Sequence, residues 1–170
     1  MSTSRIRPYF RFGVVLAAAV LIADQASKLY VLYELGLRPG DRLVLAPFLD
    51  LVLTLNPGIS YGLFPQESEA GRWLLVALKL GAAGLFAFWM AGTASRVAAA
   101  SFALLIGGAL GNAVDRALYG AVVDFVSLHA YGWRWYVFNL ADTAIVAGVA
   151  GLIYDTFTGN VTKSPPSEPS

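Results

Sequence analysis

The sequence predicts a mainly α-helical membrane protein, with four transmembrane helices and a small β-rich region lying on the external membrane surface. Its 170 residues are 57% hydrophobic and only 14% charged, with a mean hydropathy of +0.62. Soluble domains carry about 25% charged residues, so this composition indicates a chain that contacts lipid as well as water. Four apolar stretches approach the roughly 20 residues that an α-helix needs to cross a bilayer. We expect one integral-membrane domain over residues 1–157.

The four predicted spans lie near residues 12–33, 73–91, 97–115 and 136–157. The first follows three arginines, as a cleaved signal peptide would, but three further spans favour an uncleaved anchor. Basic residues mark the predicted cytoplasmic ends, with Arg96 between the second and third spans and Lys163 after the fourth. The positive-inside rule then predicts a multi-pass protein with both termini in the cytoplasm.

The first predicted external segment, residues 34–72, contains a stretch rich in β-forming residues. Residues 43–55 are mostly branched and apolar, and Pro47 interrupts them. This pattern predicts short strands that end at the turn formed by residues 56–58.

The second predicted external segment, residues 116–135, is expected to be a loop. Trp133 in this loop is typical of the aromatic belt at a membrane surface. His129 is expected to be an exposed surface histidine. Residues 158–170 are polar and proline-rich, which predicts a disordered cytoplasmic tail.

Composition excludes several classes of function. The chain has 12 basic and 11 acidic residues, a formal charge of +1, so it offers no basic surface for a nucleic acid. It has no cysteine, and the single His129 cannot build a histidine metal cluster. We therefore expect no nucleic-acid partner and no metal.

Charged and amide side chains interrupt the predicted spans, where they are costly unless they face a protein interior or a water-filled cavity. At 1.5 Å per residue, Asp24 in the first span and Asn112 in the third lie about 18 and 22 Å from the cytoplasmic side. Asp142 in the fourth span lies about 9 Å below the external side, so all of these depths fall in the external half of the bilayer. The set is Asp24, Gln25, Lys28, Asn112, Asp115, Arg116, Asn139 and Asp142. Several segments thus converge on one predicted site.

Several of these residues also have structural interpretations. Asp24 and Lys28 are four residues apart with the acid first, which favours a helical salt bridge. Asp115 is expected either to pair with Arg116 or to cap a helix end. Lys79, midway along the second span, has no acidic partner within its span, and the sequence assigns it no role.

Glycines in the third span predict close helix packing. Gly107 and Gly111 fit the small-xxx-small pattern of membrane helix interfaces. The same residues match part of a dinucleotide-binding fingerprint, but no strand is predicted before them, so packing is the better interpretation.

Asp124 and Asp142 form the candidate catalytic pair. Two close carboxylates share one proton, so one acts as a base towards water while the other donates to a carbonyl. Such a pair hydrolyses peptides without a metal, serine or cysteine. Intramembrane Asp, Lys and Asn also build proton relays, so a proton-coupled transporter is the alternative. A non-enzymatic assembly protein is a third possibility.

Five blocks of sequence resemble the bacterial lipoprotein signal peptidases, also called signal peptidase II, in the same order over residues 20–157. The blocks are Asp24-Gln-Ala-Ser-Lys28, Asn56-Pro-Gly-Ile-Ser-Tyr-Gly62, Gly107-Gly-Ala-Leu-Gly-Asn-Ala-Val-Asp-Arg116, Val122-Val-Asp-Phe125 and Phe138-Asn-Leu-Ala-Asp142.

The resemblance implies an intramembrane aspartyl endopeptidase that acts without a cofactor, with Asp124 and Asp142 as its catalytic pair. It implies a substrate, a diacylglyceryl-modified prolipoprotein, which is cut just before the lipidated cysteine. The implied location is the bacterial inner membrane, with the active site towards the periplasm and membrane lipid around it. The positions implied to support the pair or position the substrate are Asp24, Lys28, Asn56, Gly108, Asn112, Asp115, Arg116 and Asn139.

Two positions depart from the family pattern. The second block has Ile59-Ser60-Tyr61 where small residues and Phe are usual, and Thr143 follows Asp142 where Ser or Ala is common. We expect these changes to tune substrate contacts. The external loop is expected to close over the substrate, with apolar contacts from Tyr61, Phe64 and Trp133.

Overall fold

The computed structural model describes residues 8–58 and 68–159. Within them, four helices are long and apolar enough to cross a membrane, which confirms the predicted fold class. They are α1 (Phe10–Leu29, continued by a π-helical turn over Tyr30–Glu34), α2 (Glu69–Gly92), α3 (Arg96–Tyr119) and α4 (Leu140–Gly159). An antiparallel sheet in the order β1-β2-β3-β4 consists of β1 (Arg42–Ala46), β2 (Leu49–Asn56), β3 (Val122–Ala130) and β4 (Trp133–Arg134).

α3 is the central helix of the bundle and packs against α1, α2 and α4. In α3, 67% of the apolar stretch is buried, against 17–22% in the other three helices. Its glycines make this possible: a Cβ at Gly107 would collide with Val20 of α1, and a Cβ at Gly108 would collide with the Ala141 carbonyl of α4. The close packing predicted from these glycines is therefore confirmed.

Serine N-caps set the starts of α2 and α3. The Ser68 hydroxyl accepts a hydrogen bond from the Gly71 N–H at 3.1 Å, and Ser95 accepts one from Ala98 at 3.2 Å. Such caps satisfy N–H groups that have no partner within the helix. Both helices consequently begin earlier than the apolar stretches suggest, and Arg96 belongs to α3 instead of the preceding link.

The start of the fourth predicted span is wrong. Residues 136–139 are extended, and the Phe138 carbonyl accepts hydrogen bonds from the N–H groups of Phe125 and Val126 at 3.1 and 2.7 Å. The helix begins only at Leu140, because these residues pair with a strand. At its other end α4 runs to Gly159, two residues into the predicted tail; residues 160–170 lie outside the described part of the chain.

The strands predicted within residues 43–55 are confirmed as β1 and β2, on either side of Pro47. The prediction of a loop over residues 116–135 is wrong: α3 continues to Tyr119, and β3 then pairs with β2. Gly120 ends α3 in the left-handed region, with φ of +76°.

The sheet covers one end of the helix bundle. A buried apolar cluster of Val31, Leu53, Val123 and Phe125 joins the π-helical turn after α1 to β2 and β3. Because β3 follows α3 directly and leads towards α4, the sheet brings the ends of these helices together beneath it. The side chains at that end of the bundle form the candidate site.

Candidate active site

Polar side chains from α1, α3, β2, β3 and the start of α4 meet at the sheet end of the bundle. All the candidate polar residues lie in this cluster. Those that are buried are Asp24, Lys28, Asn112, Asp115, Arg116, Asp124 and Asn139. Asn56 and Asp142 complete the cluster through hydrogen bonds to Asp124 and Asn112.

Asp124 and Asp142 line one cavity of about 160 Å³. Two asparagines connect their carboxyl groups. Asn139 Nδ2 donates to Asp124 Oδ1 at 2.7 Å and to Asn112 Oδ1 at 3.1 Å, and Asn112 Nδ2 donates to Asp142 Oδ1 at 2.9 Å. The two carboxyl groups are thus held by a continuous chain of amides and face the same space.

Asp142 is positioned by the way α4 begins. Asn139 is the N-cap: its Oδ1 accepts from the Asp142 N–H at 2.9 Å, while its own N–H points to Asp142 Oδ2 at 3.4 Å. This is the reciprocal arrangement of a capping box. The positive end of the helix dipole also favours a negative charge there. The local sequence that starts α4 therefore also places a carboxylate in the cavity.

Asp124 is positioned by the pairing of β2 with β3. Asn56 lies opposite Val122 and so occupies the diagonal position to Asp124 on one face of the sheet. Its Nδ2 donates to Asp124 Oδ2 at 3.2 Å. Burial and the neighbouring Asp142 raise the pKa of Asp124 to about 7, against hydrogen bonds from Asn56 and Asn139 that lower it. Asp124 therefore holds its proton to a higher pH than an ordinary aspartate.

Lys28 forms a buried ionic triad with Asp24 and Asp115, with Nζ 2.7 Å from an oxygen of each carboxylate. The predicted Asp24–Lys28 pair is confirmed. Both predictions for Asp115 are wrong, because its carboxylate forms an ion pair with Lys28. Oδ2 of Asp115 also accepts a hydrogen bond from the N–H of Val123 at 3.1 Å. The triad thereby fastens α1 and α3 to the strand that carries Asp124.

Asp24 also fixes the start of α4. Its Oδ1 accepts from the N–H of Ala141 at 2.9 Å, one of the first-turn groups without a partner inside the helix. The carboxylate reaches this position because Gly111 has no side chain; a Cβ there would collide with it. Asp24 and Gly111 thus position Asp142 without contacting it.

Arg116 links α3 to the turn after β2. Its guanidinium donates to the Gly58 carbonyl at 2.5 Å and to the Asn112 carbonyl at 3.4 Å. Arg72 of α2 in turn donates to the Arg116 carbonyl at 2.8 Å, a contact that the sequence reasoning missed because the two residues are far apart in the chain. The predicted contact residues Tyr61 and Phe64, and the unusual residues 59–61, lie outside the described residues.

A larger apolar groove, of about 840 Å³, adjoins the cavity. Asp142 lines both spaces, so it lies between them. Trp133, Phe48 and Thr143 are among the residues that line the groove, and Trp133 is 84% exposed. The arrangement places an apolar surface on one side of the carboxyl pair and a polar cavity on the other.

A second ionic group lies in the sheet, outside this site. The carboxylate of Asp50, buried on β2, is 2.7 Å from Arg42 Nη2 and 3.0 Å from His129 Nε2. Burial acts to raise the pKa of Asp50, but His129 and Arg42 outweigh it and lower the pKa. The prediction of an exposed loop position for His129 is wrong, since it lies on β3 with 23% of its side chain exposed. In the sequence, this ionic group is indicated by Asp50, the single acidic residue within the apolar strand β2.

Comparison with known proteins identifies relatives over most of the chain. A family model described as signal peptidase (SPase) II matches residues 16–158. The chain is 56% identical over 144 residues to a lipoprotein signal peptidase of Methylobacterium sp. (strain 4-46), covering 85% of this chain and 87% of that one. It is 54% identical over 147 residues to that of Methylorubrum extorquens (strain PA1), covering 86% of each.

The fold is also similar to a solved structure. A bacterial membrane enzyme determined by the in meso method at 2.3 Å resolution superposes with a TM-score of 0.78 over 94% of each chain. The two sequences are 24% identical, so this likeness concerns the fold. Four helices beneath a small sheet are thus an arrangement that this chain has in common with a membrane enzyme.

Proposed function

The chain belongs to the signal peptidase II family, and from that premise we propose that it is an aspartyl endopeptidase with Asp124 and Asp142 as its catalytic pair. As a lipoprotein signal peptidase it cleaves signal peptides from prolipoproteins. The observation that carries the proposed mechanism is the pair of carboxyl groups facing one cavity. Asn112 and Asn139 hold them there.

In the proposed reaction the pair holds one proton. Asp124 carries it, because its pKa is raised to about 7. Asp142, at the N-terminus of α4, takes a proton from water, whose oxygen attacks the scissile carbonyl carbon. Asp124 donates its proton to the carbonyl oxygen. The C–N bond of the resulting tetrahedral diol breaks as the amide nitrogen takes the proton held by Asp142. Asp124 regains a proton from one hydroxyl of the diol, which leaves as the carboxylic acid.

The apolar groove and the smaller cavity, which both include Asp142, support one orientation of the bound substrate. We assign the lipid-modified cysteine to the apolar groove, where Phe48 and Trp133 contact its diacylglyceryl chains. The scissile bond, just before this cysteine, then lies at the carboxyl pair. The signal peptide continues through the smaller cavity, away from the sheet. With the termini of the chain in the cytoplasm, this site opens towards the periplasmic leaflet.

A transporter has less support than a peptidase. On α3, between Ser95 and Gly111, the described buried side chains are small or apolar apart from Ser101. A proton or ion pathway needs polar groups that continue across the membrane. The polar cluster instead stays at the sheet end, which suits a reaction at one membrane face.

The test is a gel-shift assay with purified protein in detergent and a diacylglyceryl-modified prolipoprotein. We expect wild type to cut before the lipidated cysteine and Asp124→Asn and Asp142→Asn to leave the substrate intact. Circular dichroism and size-exclusion profiles matching wild type would show that the variants are folded. Cleavage that survives either substitution would reject the assigned pair, and no cleavage by folded wild type would reject the proposed function.

A further inference from the structure

Lys79 is a cation in the candidate active site that the catalytic mechanism does not use. It lies on α2 and lines the cavity with Asp124, Asp142 and Arg116. Seven residues separate it from Arg72, which contacts the end of α3, so its Cα lies about 10 Å farther from the sheet. Because the Cα–Cβ bonds of a helix tilt towards its N-terminus, its side chain extends back towards the carboxyl pair.

Stability does not account for a lysine at this position. A charged side chain in a membrane span costs a few kcal/mol on insertion scales and normally has a partner. Among the described residues, none forms a hydrogen bond or an ion pair with Lys79. The charged groups that act on it are Arg116, which repels it, and Asp142, which attracts it from beyond 4 Å. Lys79 lines the cavity, and its N–H donors have no partner among the described residues.

The other donors around the cavity are already used. Asn56 donates to Asp124 and Asn112 donates to Asp142. Both Nη atoms of Arg116 donate to carbonyls, and its Nε is buried. Among the described lining side chains assigned to the site, Lys79 is the one donor group that makes no hydrogen bond within the protein.

The size of the cavity limits what that group can be. A space of about 160 Å³ is smaller than a single turn of an α-helix, which is about 10 Å across with its side chains and 5.4 Å long. The substrate segment in the cavity is therefore extended. The carbonyls of this extended segment have no hydrogen-bond partners within a helix. The same holds for the carbonyls in the last turn of the signal-peptide helix that precedes it. Away from bulk water each such carbonyl needs a donor.

We propose that Lys79 binds the signal-peptide side of the substrate by donating hydrogen bonds to the main-chain carbonyls just before the scissile bond. Its charge also favours the negative end of the signal helix that terminates there. This inference rests on the proposed function and makes Lys79 a substrate-binding residue. It recognises the backbone, so it acts on any signal peptide that enters the cavity.

The test compares Lys79→Met, Lys79→Arg and the control Leu78→Met, which alters a neighbouring side chain that is 60% exposed. Steady-state cleavage of one lipid-modified prolipoprotein is measured at a fixed ratio of substrate to detergent. We expect Lys79→Met to raise KM about ten-fold, as the loss of a hydrogen bond from a charged group would. Its kcat should stay within about two-fold, because the contact is the same in the bound substrate and the transition state. Lys79→Arg should restore most of the affinity, and Leu78→Met should match wild type.

Binding measured without turnover provides a second readout. In an Asp142→Asn background, Lys79→Met should weaken binding of the intact prolipoprotein by a similar factor. Unchanged KM and binding would overturn the proposal while leaving the peptidase assignment intact. A fall in kcat with a displaced pH profile and unchanged KM would also overturn it, since Lys79 would then act as a counter-charge for the carboxyl pair. Absence of cleavage by wild type would overturn both.

Discussion

Asn139 donates a hydrogen bond from its side-chain amide to Asp124 at 2.7 Å while its side-chain oxygen caps α4, whose first turn carries Asp142. One residue thus sets the positions of both carboxyl groups. The donor and acceptor halves of the amide serve different purposes, so substitutions can separate them.

We predict that Asn139→Ser lowers kcat by about 10²–10³, the usual cost of losing a positioned donor in an active site. Serine remains a good N-cap, so the melting temperature should stay close to that of wild type. Asn139→Ala should lose activity and also about 1 kcal/mol of stability, because it cannot cap α4. Steady-state cleavage and thermal unfolding in detergent check both variants. A Ser variant with wild-type activity would contradict the role of the Asn139–Asp124 hydrogen bond.

The pH dependence of cleavage should reflect the proton on Asp124. Because its pKa is about 7, raising the pH through this value removes the proton that the proposed mechanism donates to the carbonyl. We expect kcat/KM to fall about ten-fold per pH unit on the alkaline side. Asn56→Ala removes a hydrogen bond that lowers this pKa, so its alkaline limb should move to higher pH. A limb that stays in place in the variant would argue against Asp124 as the proton donor.

The same raised pKa has a consequence for stability. The ordinary pKa of Asp124 is 3.8, so between that value and about 7 the folded protein binds this proton and the unfolded chain does not. The contribution of Asp124 to the free energy of unfolding is therefore greatest below pH 3.8 and is lost as the pH rises through about 7. Asp124→Asn, which does not titrate, should gain melting temperature relative to wild type between pH 5 and pH 8. Parallel curves for the two proteins would be inconsistent with a raised pKa.

Gly111 should tolerate no side chain. A Cβ there meets the Asp24 carboxylate, so we expect Gly111→Ala to cost about 1–3 kcal/mol, typical of overpacking, and to reduce cleavage by displacing the start of α4. Gly84 on α2 is a matched control, since a Cβ there meets nothing within 4 Å. Thermal unfolding and cleavage of the two alanine variants test the difference. Equal behaviour of the two would refute the close approach of α1 to α3.

The sheet should depend on Asp50. Its lowered pKa means that its carboxylate stabilises the fold above its ordinary value of 3.8, and that this contribution is lost as the pH falls through the folded value. Asp50→Asn should therefore lower the melting temperature at pH 7 and lower it less at pH 3. Since Asp50 is outside the catalytic cluster, residual activity per folded molecule should remain. An effect of equal size at both pH values would show that charge is not involved.

Local patterns were enough to predict several features that the structure shows. Hydropathy located all four helices, because a membrane span needs a continuous apolar run whatever it packs against. The Asp24–Lys28 pair followed from a spacing of four residues on one helix. The order of the five sequence blocks indicated the family, which the matched relatives confirm.

Other features depend on residues that are distant in the sequence. β3 is a strand because β2 offers it hydrogen bonds, so its residues resembled a loop when considered alone. The partner of Asp115 is Lys28 on another helix, and the partner of His129 is Asp50 on another strand. Such pairings are set by how the elements pack, which no local pattern encodes.

Lys79 shows most clearly which features depend on the sequence alone and which depend on the fold. Its sequence context supplies a charge in an apolar span and no partner within that span. Packing of α2 against α3 places this charge in the cavity of Asp124 and Asp142. The amino-acid sequence specifies which groups are costly to bury, since that cost belongs to each side chain. The fold specifies which of them meet, since a contact between elements exists only once the chain has packed.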